Sequence, residues 1–155
     1  MDHSEHTAPV GAALTRLAVS ATLHCLTGCA IGEVLGMVVG TALGWSDLQT
    51  VALAVALAFV FGYALTVGPV LRSGLPLWAA VRVALAADTL SITVMEVIDN
   101  AVMLAVPGAM DAGLGSALFW GSLAFALAVA FVVTVPVNRW LIGRGKGHAV
   151  VHQYH

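Results

Sequence analysis

The chain has 155 residues, 60% of them hydrophobic and 9% charged, and its mean hydropathy is +0.97, whereas an ordinary soluble domain carries roughly 25% charged residues. So little polar surface excludes a water-soluble globule. A formal net charge of -2, from six basic and eight acidic side chains, excludes a nucleic-acid footprint.

The first apolar run covers 17–43 and ends at the polar turn Gly44-Trp45-Ser46-Asp47. The second covers 48–71 and breaks at Arg72-Ser73-Gly74; the third covers 77–106, opened by Pro76 and closed by Pro107-Gly108; the fourth covers 113–141. Each is long enough to cross a bilayer, since about 20 residues at 1.5 Å rise span the hydrocarbon core. Period-2 alternation, which a membrane β-barrel requires, is absent. The expectation is an all-α, polytopic membrane protein: a single four-helix transmembrane domain over 1–155. The first run is too long for the apolar stretch of a cleaved signal peptide and holds His24, Cys25, Cys29 and Glu33, so it is expected to stay. Arg16, Arg72, Arg82, Arg139, Arg144 and Lys146 all fall near the two ends or at the second connection, while the other connections hold Asp47 and Asp111. By the positive-inside rule both termini are cytoplasmic, in the inner membrane of a bacterium. No internal repeat of useful length is present. The second and fourth runs carry no charged side chain over 48–71 and 118–135 and read as scaffold or lipid-facing walls.

Glycines recur at Gly28, Gly32, Gly36, Gly40 and Gly44. Small residues at a four-residue spacing let another helix approach closely, in the same chain or in a second copy. Because four helices enclose little volume, a homo-oligomer joined through this stripe is expected. Beside it, Cys25, Cys29 and Glu33 span an arc of about 80° at 100° per residue, with Met37 a turn beyond. His24 lies about 100° away, nearer the glycines. Buried cysteine is commonly a small hydrophobe, but an ionisable residue within a membrane span points to function.

The third run carries Asp88, Met95, Glu96, Asp99, Asn100 and Met103. All but Asn100 fall within an arc of about 100°, a face that must avoid lipid. Each central Asp costs about 2.5–3.5 kcal/mol on insertion, so protons, Arg82, a bound cation or water must offset the carboxylates. Counting helix rise from the cytoplasmic ends puts Cys29 at a depth of about 20 Å, level with Asp88 at about 18 Å. The facing stripes are expected to form a ladder of metal ligands. The ligand set is His24, Cys25, Cys29, Glu33, Asp88, Glu96, Asp99 and Asn100, with Met37, Met95 and Met103 secondary. Thiolate and imidazole favour copper, zinc or iron and carboxylate favours manganese or zinc, so the mixture indicates a transition metal without selecting one. Five of the six histidines, His3, His6, His148, His152 and His155, lie at the ends. They are secondary ligand candidates, and with a free amine Met1-Asp2-His3 could wrap Cu(II) or Ni(II); solvated tails are the plainer reading.

The segment His24-Cys-Leu-Thr-Gly-Cys-Ala-Ile-Gly-Glu-Val-Leu-Gly36 and the tail Arg144-Gly-Lys-Gly-His-Ala-Val-Val-His-Gln-Tyr-His155 resemble a family of small bacterial four-helix membrane proteins catalogued as a domain of unknown function. That resemblance covers essentially the whole chain and implies a fold and a compartment but no activity; members labelled alongside copper proteins hint at copper. Asp99-Asn-Ala-Val-Met-Leu-Ala105 is similar to the Asp-Asn-Ala segment of manganese exporters of the tellurium-resistance type, which implies a divalent cation at Asp99 and Asn100. The leading expectation is therefore a metal-ion transporter or channel, not an enzyme, with the lipid bilayer and further copies of itself as partners and no nucleic acid. The alternatives are a thiol oxidoreductase using Cys25 and Cys29, a haem protein using His24 with a symmetry mate, proton-coupled transport of another solute, and a structural subunit.

Overall fold

The computed structural model describes residues 10–144. Among them the chain forms α1 (Gly11–Leu43), α2 (Asp47–Arg72), α3 (Leu77–Ala105) and α4 (Ala117–Gly143), with no strand. The four runs of the sequence are these helices, with shifts at two ends. α1 begins at Gly11 rather than Leu17. α4 begins at Ala117 rather than near Gly113, because Gly113 and Gly115 are poor helix starters and Ser116 is the first residue able to cap. The Leu118 N–H donates to Ser116 Oγ at 3.2 Å, and the Trp120 indole donates back to the Leu114 carbonyl at 2.7 Å. α1 ends at Gly44, whose φ of 65° is left-handed, and α2 follows at once through Ser46, whose N–H donates to Gln49 at 3.1 Å.

Residue numbers across each contact give the helix directions. Along α1, Gly28, Gly32, Gly36 and Gly40 meet Gly62, Ala58, Ala54 and Thr50 of α2 in descending order, so the two helices are antiparallel. Tyr63 meets Thr89 and His24 meets Thr66, while Asn138 of α4 meets Ser91 of α3 and Thr22 of α1. The result is an up-down-up-down bundle in which sequential neighbours pack side by side and α4 closes against α1. α1 and α3 run parallel and touch across the short diagonal, while α2 and α4 lie on opposite flanks.

α1 and α2 approach most closely, and the glycine stripe is the reason. A Cβ on Gly28 would stand 2.6 Å from the Gly62 Cα, and one on Gly32 would overlap the backbone of Ala58. The seam expected between copies is thus filled within one chain, and Gly44 lies outside it, a helix cap with no atom near its missing Cβ. The core is mostly small: Ala18, Cys25, Cys29, Ala58, Ala87, Ala126 and Ala130 are buried, with Ile92, Met95 and Phe119 the bulky fillers.

Three helices, α1, α2 and α4, are long and apolar enough to cross a membrane, and this is the make-up of a membrane protein. α3 matches them in length but carries Arg82, Asp88, Glu96 and Asp99. Leu48, Val60, Leu77, Leu104, Phe125 and Val132 point outward and exposed, as expected of lipid-facing positions.

Candidate functional site

The α1 and α3 stripes meet along the diagonal, which puts every carboxyl of the two helices inside the bundle. Glu33, Asp88, Glu96 and Asp99 are 6%, 0%, 4% and 3% exposed. On α1, Cys25, Cys29 and Glu33 succeed one another at about 6 Å of rise, whereas on α3 Asp88, Glu96 and Asp99 are separated by about 12 and about 4.5 Å, so the two parallel stripes form unevenly spaced rungs. On the first, the Cys25 thiol donates to Asp88 Oδ1 at 3.6 Å. On the second, Cys29 faces Glu96, and on the third Glu33 faces Asp99. The expected level pairing of Cys29 with Asp88 is therefore displaced by one turn. α1 starts earlier than Leu17, so depths counted from the sequence ends misalign the two helices.

Met95 packs beside Cys25, Cys29 and Ile92 in the middle of the ladder. Asn100 is half-buried, and its amide donates to the Glu96 carbonyl at 2.8 Å. His24 turns away from the thiols, as its angular position requires: its Nε2 lies 3.0 Å from Thr66 Oγ1 of α2. Thr66 also neighbours Asp88, so His24 joins the first rung through a hydroxyl rather than directly. His3, His6, His148, His152 and His155, and with them the Met1-Asp2-His3 arrangement, lie outside the described residues.

Two elements read as plain walls contribute polar groups. Asn138 of α4 is buried, donates to Thr22 Oγ1 at 2.9 Å and accepts a hydrogen bond from Ser91 Oγ, which ties α1, α3 and α4 together at the level of the first rung. Thr66 is the equivalent contribution from α2. Both positions are uncharged. A neutral amide or hydroxyl in an apolar helix needs a partner just as a charge does, and Asn138 in Val137-Asn138-Arg139 was visible on that ground.

Glu33 Oε2, both Glu96 oxygens and Asp99 Oδ1 are buried without a hydrogen-bond partner. Unpaired buried oxygens are costly, and three carboxyls this close cannot all carry charge without a proton or cation among them. Arg82 is not that cation. It is exposed, about 9 Å of rise and about 120° around α3 from Asp88. Beyond the third rung a cavity of about 30 Å3 is lined by Glu33, Met37, Asp99, Asn100 and Met103 among others. Each rung offers two metal-ligating groups, and among the described residues no three His, Cys, Asp or Glu side chains converge as a closed metal site would require. Cys25 and Cys29 are free thiols, 0% and 1% exposed.

Residues 15–147 match the family described as a domain of unknown function, DUF4396, and the chain belongs to it. No curated protein and no solved structure matches the chain.

Proposed function

We propose that this member of a family without an assigned activity moves a transition-metal cation across the membrane along the α1–α3 diagonal, in exchange for protons held by its thiols and carboxyls. The observation that carries this reading is the succession Cys25–Asp88, Cys29–Glu96, Glu33–Asp99, buried among apolar helices and ending at a cavity. A conducting path needs sites that bind an ion well enough to admit it and weakly enough to release it, and successive rungs of two ligands suit that better than one closed tetrahedral site. Thiolate with carboxylate admits copper, zinc, manganese or iron. A thiol binds metal only after losing its proton, so each cation arriving at Cys25 or Cys29 displaces one. The hydrogen-bonded line Asp88, Thr66, His24 leads from the first rung toward α2.

In this reading α3 crosses the bilayer with the other three helices. Trp45 and Trp120 are exposed at one end of the bundle and Trp78 and Trp140 at the other. Trp120 and Trp140 are separated along α4 by about 30 Å of rise, the thickness of the hydrocarbon core, and α3 runs between the same two levels. Arg16, Arg72, Arg82, Arg139 and Arg144 share the Trp78 and Trp140 end, which is then the cytoplasmic face of a bacterial inner membrane, with both termini on it. Self-association would use a face other than the Gly28–Gly40 stripe, which α2 occupies.

The test is flux in vesicles reconstituted with the purified full chain, reading metal uptake and internal pH together. The parent should take up metal with opposite proton movement. Cys29→Ser and Glu96→Gln should each lower the rate at least tenfold. Equal rates in both variants, or proton movement indifferent to metal, would remove the ladder from the path.

A further inference from the structure

Two cavities adjoin at the end of the bundle opposite the arginines. The inner one, about 30 Å3, holds Glu33 and Asp99. The outer one, about 160 Å3, is lined by Thr41, Trp45, Asp47, Thr50 and Asp111. Met37 of α1 and Met110 of the α3–α4 connection line both, so these two side chains stand at the partition. Met103 of α3 lines the inner cavity and is buried in the cluster against which Met37 and Met110 pack. Three of the five methionines of the chain, brought from two helices and a loop, thus surround one narrow passage.

Methionine as a gap-filler would account for one such position. It does not account for the carboxyls beneath. Glu33 and Asp99 are 6% and 3% exposed, line the same cavity, and have Glu33 Oε2 and Asp99 Oδ1 without a hydrogen-bond partner. The two carboxyls also hydrogen-bond each other, and a single shared proton leaves one negative charge beside uncharged sulfurs. Thioethers are soft donors that take Cu(I)-class ions and are poor ligands for manganese or magnesium, and the hard ions give up water reluctantly. A cavity of about 30 Å3 has room for a water-sized particle and not for an ion inside its full hydration shell.

We infer that Met37, Met103 and Met110, above the Glu33–Asp99 pair, form a selectivity site for a soft monovalent cation of the Cu(I) class, reached from the Asp47 and Asp111 vestibule. The inference rests on the cation-path reading and names its substrate class. The vestibule carboxylates concentrate cations at the mouth. The thioethers then replace the ion's water, and the Glu33–Asp99 pair neutralises its charge.

Silver(I), a redox-stable probe of the same class, tests this on the full chain carrying Cys25→Ser and Cys29→Ser. Methionines are then the only sulfurs left, so a silver–sulfur shell in X-ray absorption must come from thioethers. Such a shell is expected, and adding Met37→Leu, Met103→Leu and Met110→Leu should abolish it and lower the ratio of silver(I) to manganese(II) affinity at least tenfold. Leucine approximates methionine in volume, so packing is largely kept. If the triple variant does not fold, the single variants carry the test, each expected to remove one sulfur from the shell. Absence of the shell in the thiol-free protein, or its persistence in the triple variant, overturns the inference. If manganese(II) or zinc(II) is transported by the unsubstituted protein while silver(I) acquires no sulfur shell, the selectivity site falls and the cation path stands. If the unsubstituted protein neither binds nor moves any of these metals, both fall.

Discussion

Asn138 illustrates how a single neutral side chain governs a membrane core. Its amide is satisfied on both sides, by Thr22 and by Ser91. Asn138→Ala removes the acceptor of the Ser91 hydroxyl and one of the two partners of Thr22, which still donates to the Ala18 carbonyl, and it leaves a void, so a loss of about 1–3 kcal/mol is expected in thermal unfolding of the solubilised protein. Thr134 is the opposite case on the same helix: its buried hydroxyl has no partner. Thr134→Val keeps the shape and removes the unsatisfied group, so its stability should match or exceed the parent's. A large loss there would mean that the hydroxyl has a bonding role its surroundings do not reveal.

At the level of helices, the α1–α2 seam depends on absent side chains. Gly32→Ala would drive a methyl into the Ala58 backbone, which has no soft side chain to yield, so the helices must separate along several turns. An overpacking loss of about 1–3 kcal/mol or more is expected. Gly121→Ala, in α4 with nothing within 4 Å of the added methyl, should be neutral or gain up to about 1 kcal/mol from helix propensity. Parallel melts of the two variants separate close approach from a general intolerance of alanine. Rungs are likewise a property of helix pairs. Cys25, Cys29 and Glu33 have no chemistry in common until Asp88, Glu96 and Asp99 are laid alongside in the same direction.

For the whole molecule, the bundle has a chemical polarity: arginines at one end, and two aspartates around a vestibule at the other. In the proposed orientation, reporter domains fused to the two termini should both be active in the cytoplasm. A cysteine placed at Asp111, in a chain lacking Cys25 and Cys29, should react with a membrane-impermeant thiol reagent from outside intact cells. Protection of that cysteine with both reporters exported would reverse the topology, and protection with one reporter exported would leave α3 out of the bilayer. Glu96, Glu33 and Asp99, on the second and third rungs, hold oxygens without partners, and Thr66 supports the first rung. Cavities lie at the acidic end of the polar stripe, and Asn138, Thr22 and Ser91 brace the first rung toward the other.

The sequence by itself determined the helices and the inward face of α3. Apolar runs bounded by Gly, Pro and Ser allow little else, and Asp88, Met95, Glu96, Asp99 and Met103 share a face that lipid would not accept. It also marked the glycines as a place of close approach, because only packing explains an unbroken four-residue spacing. Tertiary structure alone decided what each face meets. The glycine stripe admits any helix, and geometry assigned it to α2; depth counted from Leu17 put Cys29 level with Asp88, whereas in the bundle Cys25, one turn earlier, takes that place. Thr66, Asn138 and Met110 acquired their places only through neighbours distant in sequence. The physical reason is common to all of these: periodicity within one helix specifies a face, while pairing and level depend on where the other helices begin and end.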